Sequence, residues 1–187
     1  MLDRGNRRPS INVTRRAFLR GSTLVAATSC VMSSALARSV ERRTLTFVHT
    51  HTGETLTAPY VQAGSYRPDC LAKVNHFLRD FRTGEVHTIE PALLDVLFDL
   101  QVLADRDAAF QIISGYRSPA TNSKLHRESS GVATHSLHME GQAVDVRLSG
   151  FSTRKLRDLA LSLRRGGVGY YSDSDFVHVD TGRVRSW

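Results

Sequence analysis

Apolar residues recur along the chain with two different periods, which separate strands from helices. Residues 44–51 alternate polar and apolar positions, and residues 56–61 do so more loosely after Thr52-Gly53-Glu54. Because alternation is typical of a strand with one buried face, the two segments predict a β-hairpin. The other predicted strands are residues 110–114, 142–148, 168–171 and 176–180, of which the last two form a closing hairpin.

Two segments in the first half of the chain have the spacing of an amphipathic helix. Residues 70–81 carry apolar side chains three or four positions apart. Pro91 suits the first turn of a second helix, which has a broad apolar face and extends to about Arg106. In the polar stretch of residues 115–134 we expect only about one helical turn, beginning at Ser118-Pro119.

A third helix is predicted between the last strands. Ser152 or Thr153 caps its start, and Gly166-Gly167 ends it after about Arg165. The chain therefore predicts an α+β fold, with helices packed on one side of a small, mostly antiparallel sheet. Its 187 residues suffice for one domain with a hydrophobic core.

The basic charge of the chain is concentrated near its beginning. Of 25 lysines and arginines and 18 acidic residues, six arginines and one acid fall within residues 1–37. The remaining residues are close to neutral overall, and they contain no stripe of basic and aromatic residues on which bases would stack. The sequence therefore predicts no nucleic-acid partner.

Residues 1–37 have the organisation of an export signal. Arg15-Arg16 precedes Ala17-Phe18-Leu19, and a weakly apolar stretch follows. Ala35-Leu36-Ala37 then supplies the small residues that signal peptidase needs. The paired arginines resemble the twin-arginine address, which predicts the twin-arginine export machinery as a partner. We expect cleavage near Ala37 and a periplasmic location, with no stable membrane span after cleavage because the apolar stretch is shorter than the about 20 residues that cross a bilayer.

This interpretation divides the chain into a signal peptide of residues 1–37, a linker of residues 38–43 and a folded domain of residues 44–187. An alternative is lipidation at Cys30, although Ala27 stands where a large aliphatic residue is usual. After cleavage Cys70 is the one remaining cysteine, which excludes a disulfide within the domain. We expect Cys70 to be a buried apolar residue.

The region with the most chemistry is residues 136–145, which read Ser-Leu-His-Met-Glu-Gly-Gln-Ala-Val-Asp. Imidazole and carboxylate groups are preferred zinc ligands, and His138 and Asp145 meet at one metal if the chain turns at Gly141. A catalytic site needs a third ligand. His178 is the best candidate because it lies on an otherwise apolar predicted strand, where a histidine must satisfy both ring nitrogens.

The pattern Ser-x-His-x-x-Gly-x-Ala-x-Asp, followed by a histidine on a strand, resembles the zinc site of the D-alanyl-D-alanine carboxypeptidase group, also called LAS metallopeptidases. Further motifs match in order: Ser114-Gly-Tyr-Arg117-Ser, Gly167-Val-Gly-Tyr-Tyr and Phe176-Val-His-Val-Asp-Thr-Gly. Together they resemble the YcbK-like branch of murein endopeptidases over residues 44–187. The resemblance implies Zn²⁺ at His138, Asp145 and His178, and peptidoglycan stem peptides or cross-links as the substrate.

The resemblance also suggests the catalytic residues. The group places its base three residues before the last histidine, which is Asp175 here, one methylene shorter than the usual glutamate. Asp180 is the rival base, because two residues beyond His178 on a strand it points to the same face, and its other interpretation is a partner for the His178 ring. The group also places an arginine at Arg117, which suits a substrate carboxylate or carbonyl. His135 either contacts the transition state or caps the loop.

Two alternatives remain open from the sequence. The domain is an active zinc hydrolase, or it is an inactive, zinc-stabilised wall-binding or scaffold domain. The three ligands and Asp175 favour the enzyme. The bond that is cut, D,D or L,D and internal or terminal, depends on how residues 115–134 fold. His49 and His51 share one parity on their strand and offer a second metal pair, but we favour two polar-face residues.

Overall fold

The computed structural model describes residues 42–128 and 132–187. Eight strands form one sheet in the order β3-β2-β1-β4-β5-β7-β6-β8. The strands are β1 Arg42–His49, β2 Thr55–Gln62, β3 Ser65–Tyr66, β4 Phe110–Ser114, β5 Ala143–Leu148, β6 Gly167–Tyr171, β7 Phe176–Asp180 and β8 Arg185–Ser186. The helices are α1 Pro68–Phe77, α2 Pro91–Leu103, α3 Pro119–Glu128 and α4 Thr153–Leu163, with a 3₁₀ helix at Leu137–Glu140.

The predicted α+β class and the mostly antiparallel sheet are confirmed. Neighbouring strands are antiparallel except in the pairs β1–β4 and β6–β8. Both predicted hairpins form, β1 with β2 and β6 with β7. Helix α2 packs on β1, α4 packs on β5 to β7, and the two helices contact each other. The short strands β3 and β8 were not predicted, because two residues show no period.

The start of β1 corrects the predicted linker. Arg42 and Arg43 pair with Gln62 and Val61 of β2, so they belong to the sheet. Arg43 also donates a hydrogen bond of 2.6 Å to Asp95 on α2. The predicted signal peptide, its cleavage site and Cys30 lie outside the described residues. Within the described part of the chain, no helix is long and apolar enough to cross a membrane.

Helices α1 and α2 end earlier than their apolar spacing predicts. Helix α1 begins at Pro68 and stops at Phe77, although Leu78 beyond it is still buried. The carbonyl oxygen of Leu78 accepts a hydrogen bond from the backbone N–H of Tyr116, which ties the residue after the helix to the segment that follows β4. Helix α2 ends at Leu103, and the prediction extended it by three residues. Cys70 is buried, as expected.

Helix α3 is longer than the single turn that we predicted. Its start is fixed by Asp80, a buried carboxylate far away in the sequence. One oxygen of Asp80 accepts hydrogen bonds from the backbone N–H and the hydroxyl of Ser118, at 3.0 and 2.7 Å. The Ser118 hydroxyl in turn accepts from the backbone N–H of Thr121. This capping supplies partners for groups at the helix start, which the local sequence does not reveal.

Helix α4 begins at the predicted cap but stops for a different reason. Ser152 accepts a hydrogen bond from the backbone N–H of Lys155, and Arg164 adopts a left-handed conformation with φ 52°. Gly166 and Gly167 do not end the helix. They allow close approach to Asp180, since a Cβ on Gly166 would lie 1.7 Å from the carbonyl oxygen of Asp180.

Strands β5 and β7 present two chemically different faces. Val144 pairs with Val179 and Val146 with Val177, and all four belong to the hydrophobic core that includes α4. The residues between them, Asp145 and His178, form the next pair and point to the other face because side chains alternate along a strand. The core thus fixes the strands that carry these two polar groups.

Candidate metal centre

Three predicted ligands come together on the polar face of β5 and β7. The two strands bring Asp145 opposite His178, and the 3₁₀ helix brings His138 to the same point. Their nearest ligand atoms all lie within 4.8 Å of one another, and all three residues are buried. Among the described residues, this is the one group of histidines, cysteines and acids with metal-binding geometry.

The 3₁₀ helix owes its shape to the residues on either side of His138. The Ser136 hydroxyl accepts a hydrogen bond from the backbone N–H of His138 and caps the start of the helix. Gly141 ends it in a left-handed conformation with φ 67°. A Cβ on Gly141 would lie 2.1 Å from the carbonyl oxygen of Thr88. The predicted turn at Gly141 is confirmed, and glycine is required there by both conformation and space.

The outer atom of each ligand is held by a protein partner. Nδ1 of His138 lies 2.7 Å from the carbonyl oxygen of Gly115 and therefore carries the proton that it donates. Nε2 of His178 lies 3.0 Å from Asp180 Oδ2 and donates likewise. The outer oxygen of Asp145, Oδ2, accepts from the guanidinium of Arg117. These contacts fix the tautomers of both histidines and the orientation of the carboxylate.

The inner atoms of the three ligands are consequently all lone-pair donors. His178 Nδ1 lies 2.9 Å from Asp145 Oδ1 and 3.2 Å from His138 Nε2, and the latter lies 3.3 Å from the same carboxylate oxygen. Three lone pairs that face one point repel one another unless a cation lies between them. Two imidazoles and one carboxylate are a common ligand set for a divalent transition metal, so the residues fit a bound metal ion.

The ionisation of the ligands agrees with a site for a cation. Burial lowers the pKa of His138, so that this imidazole stays neutral. Burial opposes protonation of His178 too, but its hydrogen bonds to Asp145 and Asp180 outweigh burial and raise the pKa. Burial would also raise the pKa of Asp145, yet the two histidines hold it far below its usual range. The carboxylates of Asp145 and Asp180 therefore favour a positive charge at the His178 ring, whether a proton or a metal ion supplies it.

Asp180 is the partner of the His178 ring and is saturated with donors. Its Oδ1 accepts from the backbone N–H of Gly167 at 2.8 Å and of Gly182 at 2.9 Å. Arg185 donates to both carboxylate oxygens, at 3.1 and 2.7 Å. Burial would raise the pKa of Asp180, but the hydrogen bonds from His178 and Arg185 lower it strongly. Such a carboxylate is a poor proton acceptor and a good orienting group.

The structure places Asp175 away from the metal-binding point. Its side chain is 66% exposed, and its Oδ1 accepts a hydrogen bond from the hydroxyl of Thr153 at the start of α4. Asp175 adopts a left-handed conformation with φ 49° in the turn before β7. It does not line the cleft over the ligands, whereas its neighbours Ser174 and Phe176 do. This position does not support the preferred assignment of Asp175 as the base.

Arg117 lies where the sequence predicted an arginine of the site. Its Nε donates to the Ser114 hydroxyl at 2.9 Å, and its backbone N–H donates to the carbonyl oxygen of His138 at 3.2 Å. The guanidinium thus bridges β4 and the ligand Asp145 while its edge lines the cleft. Two of its five N–H groups are engaged, so others remain for a ligand.

A cleft of about 470 Å³ opens above the three ligands. His135 lies on its wall, together with residues that the sequence did not single out as part of the site: Tyr171, Arg185 and Trp187. Tyr171 lies in the Gly-Val-Gly-Tyr-Tyr motif already noted, and Arg185-Ser-Trp187 follows the Asp-Thr-Gly motif. The spacing alone gives no sign that these segments meet.

His49 and His51 form no second metal site. His49 is only 1% exposed, which makes the prediction of a polar-face residue wrong at this position. Its Nδ1 accepts from the backbone N–H groups of His51 and Thr52, at 3.2 and 3.4 Å. Its ring packs edge-on against Phe77 and Phe81, and the exposed His51 stacks on Phe81. The lone pair that a metal would need is already used by the turn.

Comparison with known proteins gives one consistent result. A family model described as "Peptidoglycan L,D-endopeptidase MepK" matches residues 37–187. The protein named peptidoglycan L,D-endopeptidase MepK in Escherichia coli K12 is 46% identical over 145 residues, which cover 78% of this chain and 80% of that protein. In Haemophilus influenzae, a probable peptidoglycan L,D-endopeptidase MepK is 39% identical over 180 residues, which cover 95% of this chain and 97% of the relative.

Proposed function

The chain belongs to the peptidoglycan L,D-endopeptidase MepK family, the YcbK-like branch of the LAS metallopeptidases, and on this premise we propose that it is an exported zinc peptidase that cuts L,D-peptide bonds in peptidoglycan cross-links. The observation that carries the proposal is the convergence of three inner lone pairs from His138, Asp145 and His178. The names of the relatives support the choice of the L,D bond.

Zinc is the metal that we propose, because two imidazoles and one carboxylate are a common set of protein ligands for a catalytic zinc ion. Zinc would supply Lewis acidity at that position. His138 and His178 would hold it through Nε2 and Nδ1, with Asp145 Oδ1 as the third ligand. Asp180 and the carbonyl oxygen of Gly115 hold the proton of each ring on its outer nitrogen and keep both imidazoles correctly turned, which raises their basicity as ligands.

The cleft residues bind and orient the peptide. Arg117 keeps free N–H groups at the cleft edge and donates them to a carbonyl or carboxylate of the substrate. Its ion pair with Asp145 holds the guanidinium beside the metal-binding point. A charge that develops on the attacked carbonyl oxygen is therefore stabilised by a fixed cation.

The proton of the attacking water has to move to the leaving amine through an acid–base group. Asp180 accepts from five donors, and Asp175 points away from the cleft, so neither predicted base is suitably placed. His135 is the imidazole on the cleft wall outside the three ligands. We therefore propose His135 as the acid–base group.

The direct test is digestion of purified, L,D-cross-linked peptidoglycan by the mature domain, with the product masses measured. We expect monomers with masses that indicate cleavage at the L,D bond, and no products from His138→Ala. If D,D-linked material is cut and L,D-linked material is not, the bond assignment is wrong. If a folded, zinc-loaded protein releases nothing from either material, the domain is a wall-binding module.

Export is a second part of the proposal and rests on residues 1–37, outside the described structure. We propose that Arg15-Arg16 directs the folded domain through the twin-arginine machinery to the periplasm. Replacement of both arginines by lysine is expected to leave the protein in the cytoplasm, as fractionation would show. Undiminished export in cells without that machinery would contradict this route.

A further inference from the structure

We propose that Trp187, supported by Tyr171 and Gly169, is a substrate subsite that binds the aliphatic part of the peptide residue next to the scissile bond. This inference rests on the proposed function, because the subsite lies in the same cleft as the three ligands. It assigns a specificity role to residues outside the predicted metal and catalytic sets.

The indole of Trp187 lies directly beside a proposed ligand. Its ring centroid is 5.2 Å from that of the His178 imidazole, and the side chain lines the cleft. The residue is nevertheless 51% exposed. A large aromatic surface that is half exposed at the edge of a cleft is typical of a ligand contact and is not needed for the hydrophobic core.

The indole is held rigidly although it is exposed. Its Nε1 donates a hydrogen bond of 3.0 Å to the hydroxyl of Tyr171. The backbone N–H of Trp187 donates to the carbonyl oxygen of Val168, and the carbonyl oxygen of Trp187 accepts from Tyr170. A rigid side chain loses little conformational entropy when it binds a ligand, which favours a role in recognition.

Gly169 leaves the space that the indole needs. A Cβ on Gly169 would lie 2.7 Å from Cε2 of Trp187, so any larger residue would displace the ring. On the same ring, the guanidinium carbon of Arg185 lies 4.9 Å from the centroid, and Arg185 is fixed by its ion pair with Asp180. Trp187, Arg185, Asp180 and His178 are thus linked by successive contacts.

The residues that line the cleft indicate which part of the substrate this subsite binds. Tyr171 stacks on Phe176 with ring centroids 4.5 Å apart, and Trp187, with the guanidinium of Arg185 over its ring, extends this aromatic surface toward His178. Arg117 and His135 contribute polar groups elsewhere on the lining. A peptide residue with a methyl or methylene side chain and a nearby carboxylate, as in alanine or a diamino acid, would place its side chain on the aromatic surface and its carboxylate at Arg117. A sugar ring would use the indole but would leave the guanidinium of Arg117 without a charged partner.

Trp187 is the single tryptophan of the chain, so its fluorescence reports on this subsite alone. The mature protein is titrated with a purified, L,D-cross-linked muropeptide dimer in the presence of a chelator that stops turnover. We expect a saturable change in emission, and none with the disaccharide that lacks the peptide. An equal change with the disaccharide, or no change while calorimetry detects binding of the dimer, would overturn the proposal.

Steady-state kinetics supplies a second measurement. Trp187→Ala is expected to raise KM about ten-fold with kcat within about two-fold, because the indole adds binding that is equal in the ground and transition states. Gly169→Ala should raise KM similarly by displacing the ring, and Tyr171→Phe less. Val184→Ala is the matched control, since Val184 is an exposed apolar residue that does not line the cleft.

The outcomes separate the two proposals. Zinc content, measured by elemental analysis for each variant, shows whether the metal centre is intact. If the wild type binds no zinc and cuts nothing, the proposed function fails. If the wild type is active and Trp187→Ala keeps the wild-type KM, or loses kcat alone with its zinc retained, the proposed function stands and the subsite is wrong.

Discussion

Two buried histidine environments in this protein look alike in sequence and differ in chemistry. His178 and His49 both lie in strands among apolar neighbours, and each has a ring nitrogen bonded to a nearby group. For His178 the partner is a carboxylate that accepts a hydrogen bond from Nε2–H, which leaves the lone pair of Nδ1 facing Asp145 Oδ1 and His138 Nε2. For His49 the backbone donates to Nδ1, and phenylalanine rings surround the imidazole.

The comparison shows that the partner of the outer nitrogen decides what a buried histidine does. A carboxylate or carbonyl partner accepts a hydrogen bond from the ring N–H, which leaves the lone pair of the other ring nitrogen for a metal. A backbone N–H partner uses that lone pair, and the histidine becomes part of a turn. The two environments therefore respond differently to substitution and to pH.

The largest expected effect is loss of the metal centre. His138→Ala removes one of three convergent lone pairs and should reduce zinc binding below detection and muropeptide release by at least about 10³-fold. Zinc content and product yield measure this. His51→Ala is the matched control in the other environment, because its exposed ring only stacks on Phe81. A zinc loss of equal size in His51→Ala would show that the two histidine environments do not differ in metal binding.

A smaller effect is expected at the carboxylate behind His178. Asp180→Asn keeps an oxygen for Nε2–H but removes the charge, so zinc affinity should fall about 10-fold or more, as measured with a competing chelator. Asp95→Asn is the control, since Asp95 also accepts from an arginine and two tyrosines but lies on α2, away from the ligands. That variant should lose stability and keep its zinc affinity. Unchanged affinity in Asp180→Asn would contradict the orienting role.

At His49 we expect an effect on stability that depends on pH. Burial, aided by the neighbouring His51, lowers the pKa of His49 below 6.5 in the folded chain. The unfolded chain then binds the proton more readily, so this contribution is complete above about pH 6.5 and is lost as the pH falls, with a slope of at most about 1.4 kcal/mol per pH unit.

The measurement is denaturant unfolding of the metal-free domain at several pH values. The free energy of unfolding of the wild type should decrease below about pH 6.5 more steeply than that of His49→Gln. Both proteins contain the same three proposed metal ligands, so the difference between their slopes isolates His49. Identical slopes would show that the buried imidazole does not titrate on unfolding.

The smallest effect is expected for Asp175→Asn. Its carboxylate is exposed and bonded to Thr153 outside the cleft, so kcat/KM should stay within about three-fold of the wild type. His135→Gln, on the cleft wall, should lower kcat far more. A loss of about 10³-fold or more in Asp175→Asn would restore it as the base and require a rearrangement of the turn before β7.

Much of the fold follows from periodicity, and the ligand set follows from spacing. Both hairpins, the capped start of α4 and the turn at Gly141 were predicted because each depends on neighbouring residues. The features that the sequence predicts wrongly depend on residues that are distant in the sequence. Asp80 caps α3 from 38 residues away in the sequence, and Gly166 and Gly167 accommodate Asp180 instead of ending a helix.

The site residues show the same division. His138 and Asp145 are linked by a local motif, and His178 was found because a histidine on a buried strand needs partners. Asp175 is the base that the family pattern suggests, but its direction is set by a left-handed turn before β7 and by the contact with Thr153, which spacing does not reveal. Trp187 is not predictable from the sequence, because its contacts with Gly169, Tyr171 and His178 exist only in three dimensions.

The most direct test of the central claim is zinc restoration of activity. The mature domain is stripped with a chelator, zinc is added back in steps, and release of muropeptides from L,D-cross-linked peptidoglycan is followed. The three convergent lone pairs predict no release without metal, and full release at one zinc per chain for the wild type but not for His138→Ala. Undiminished release by the stripped protein, or equal restoration in His138→Ala, would contradict a metal centre at these residues.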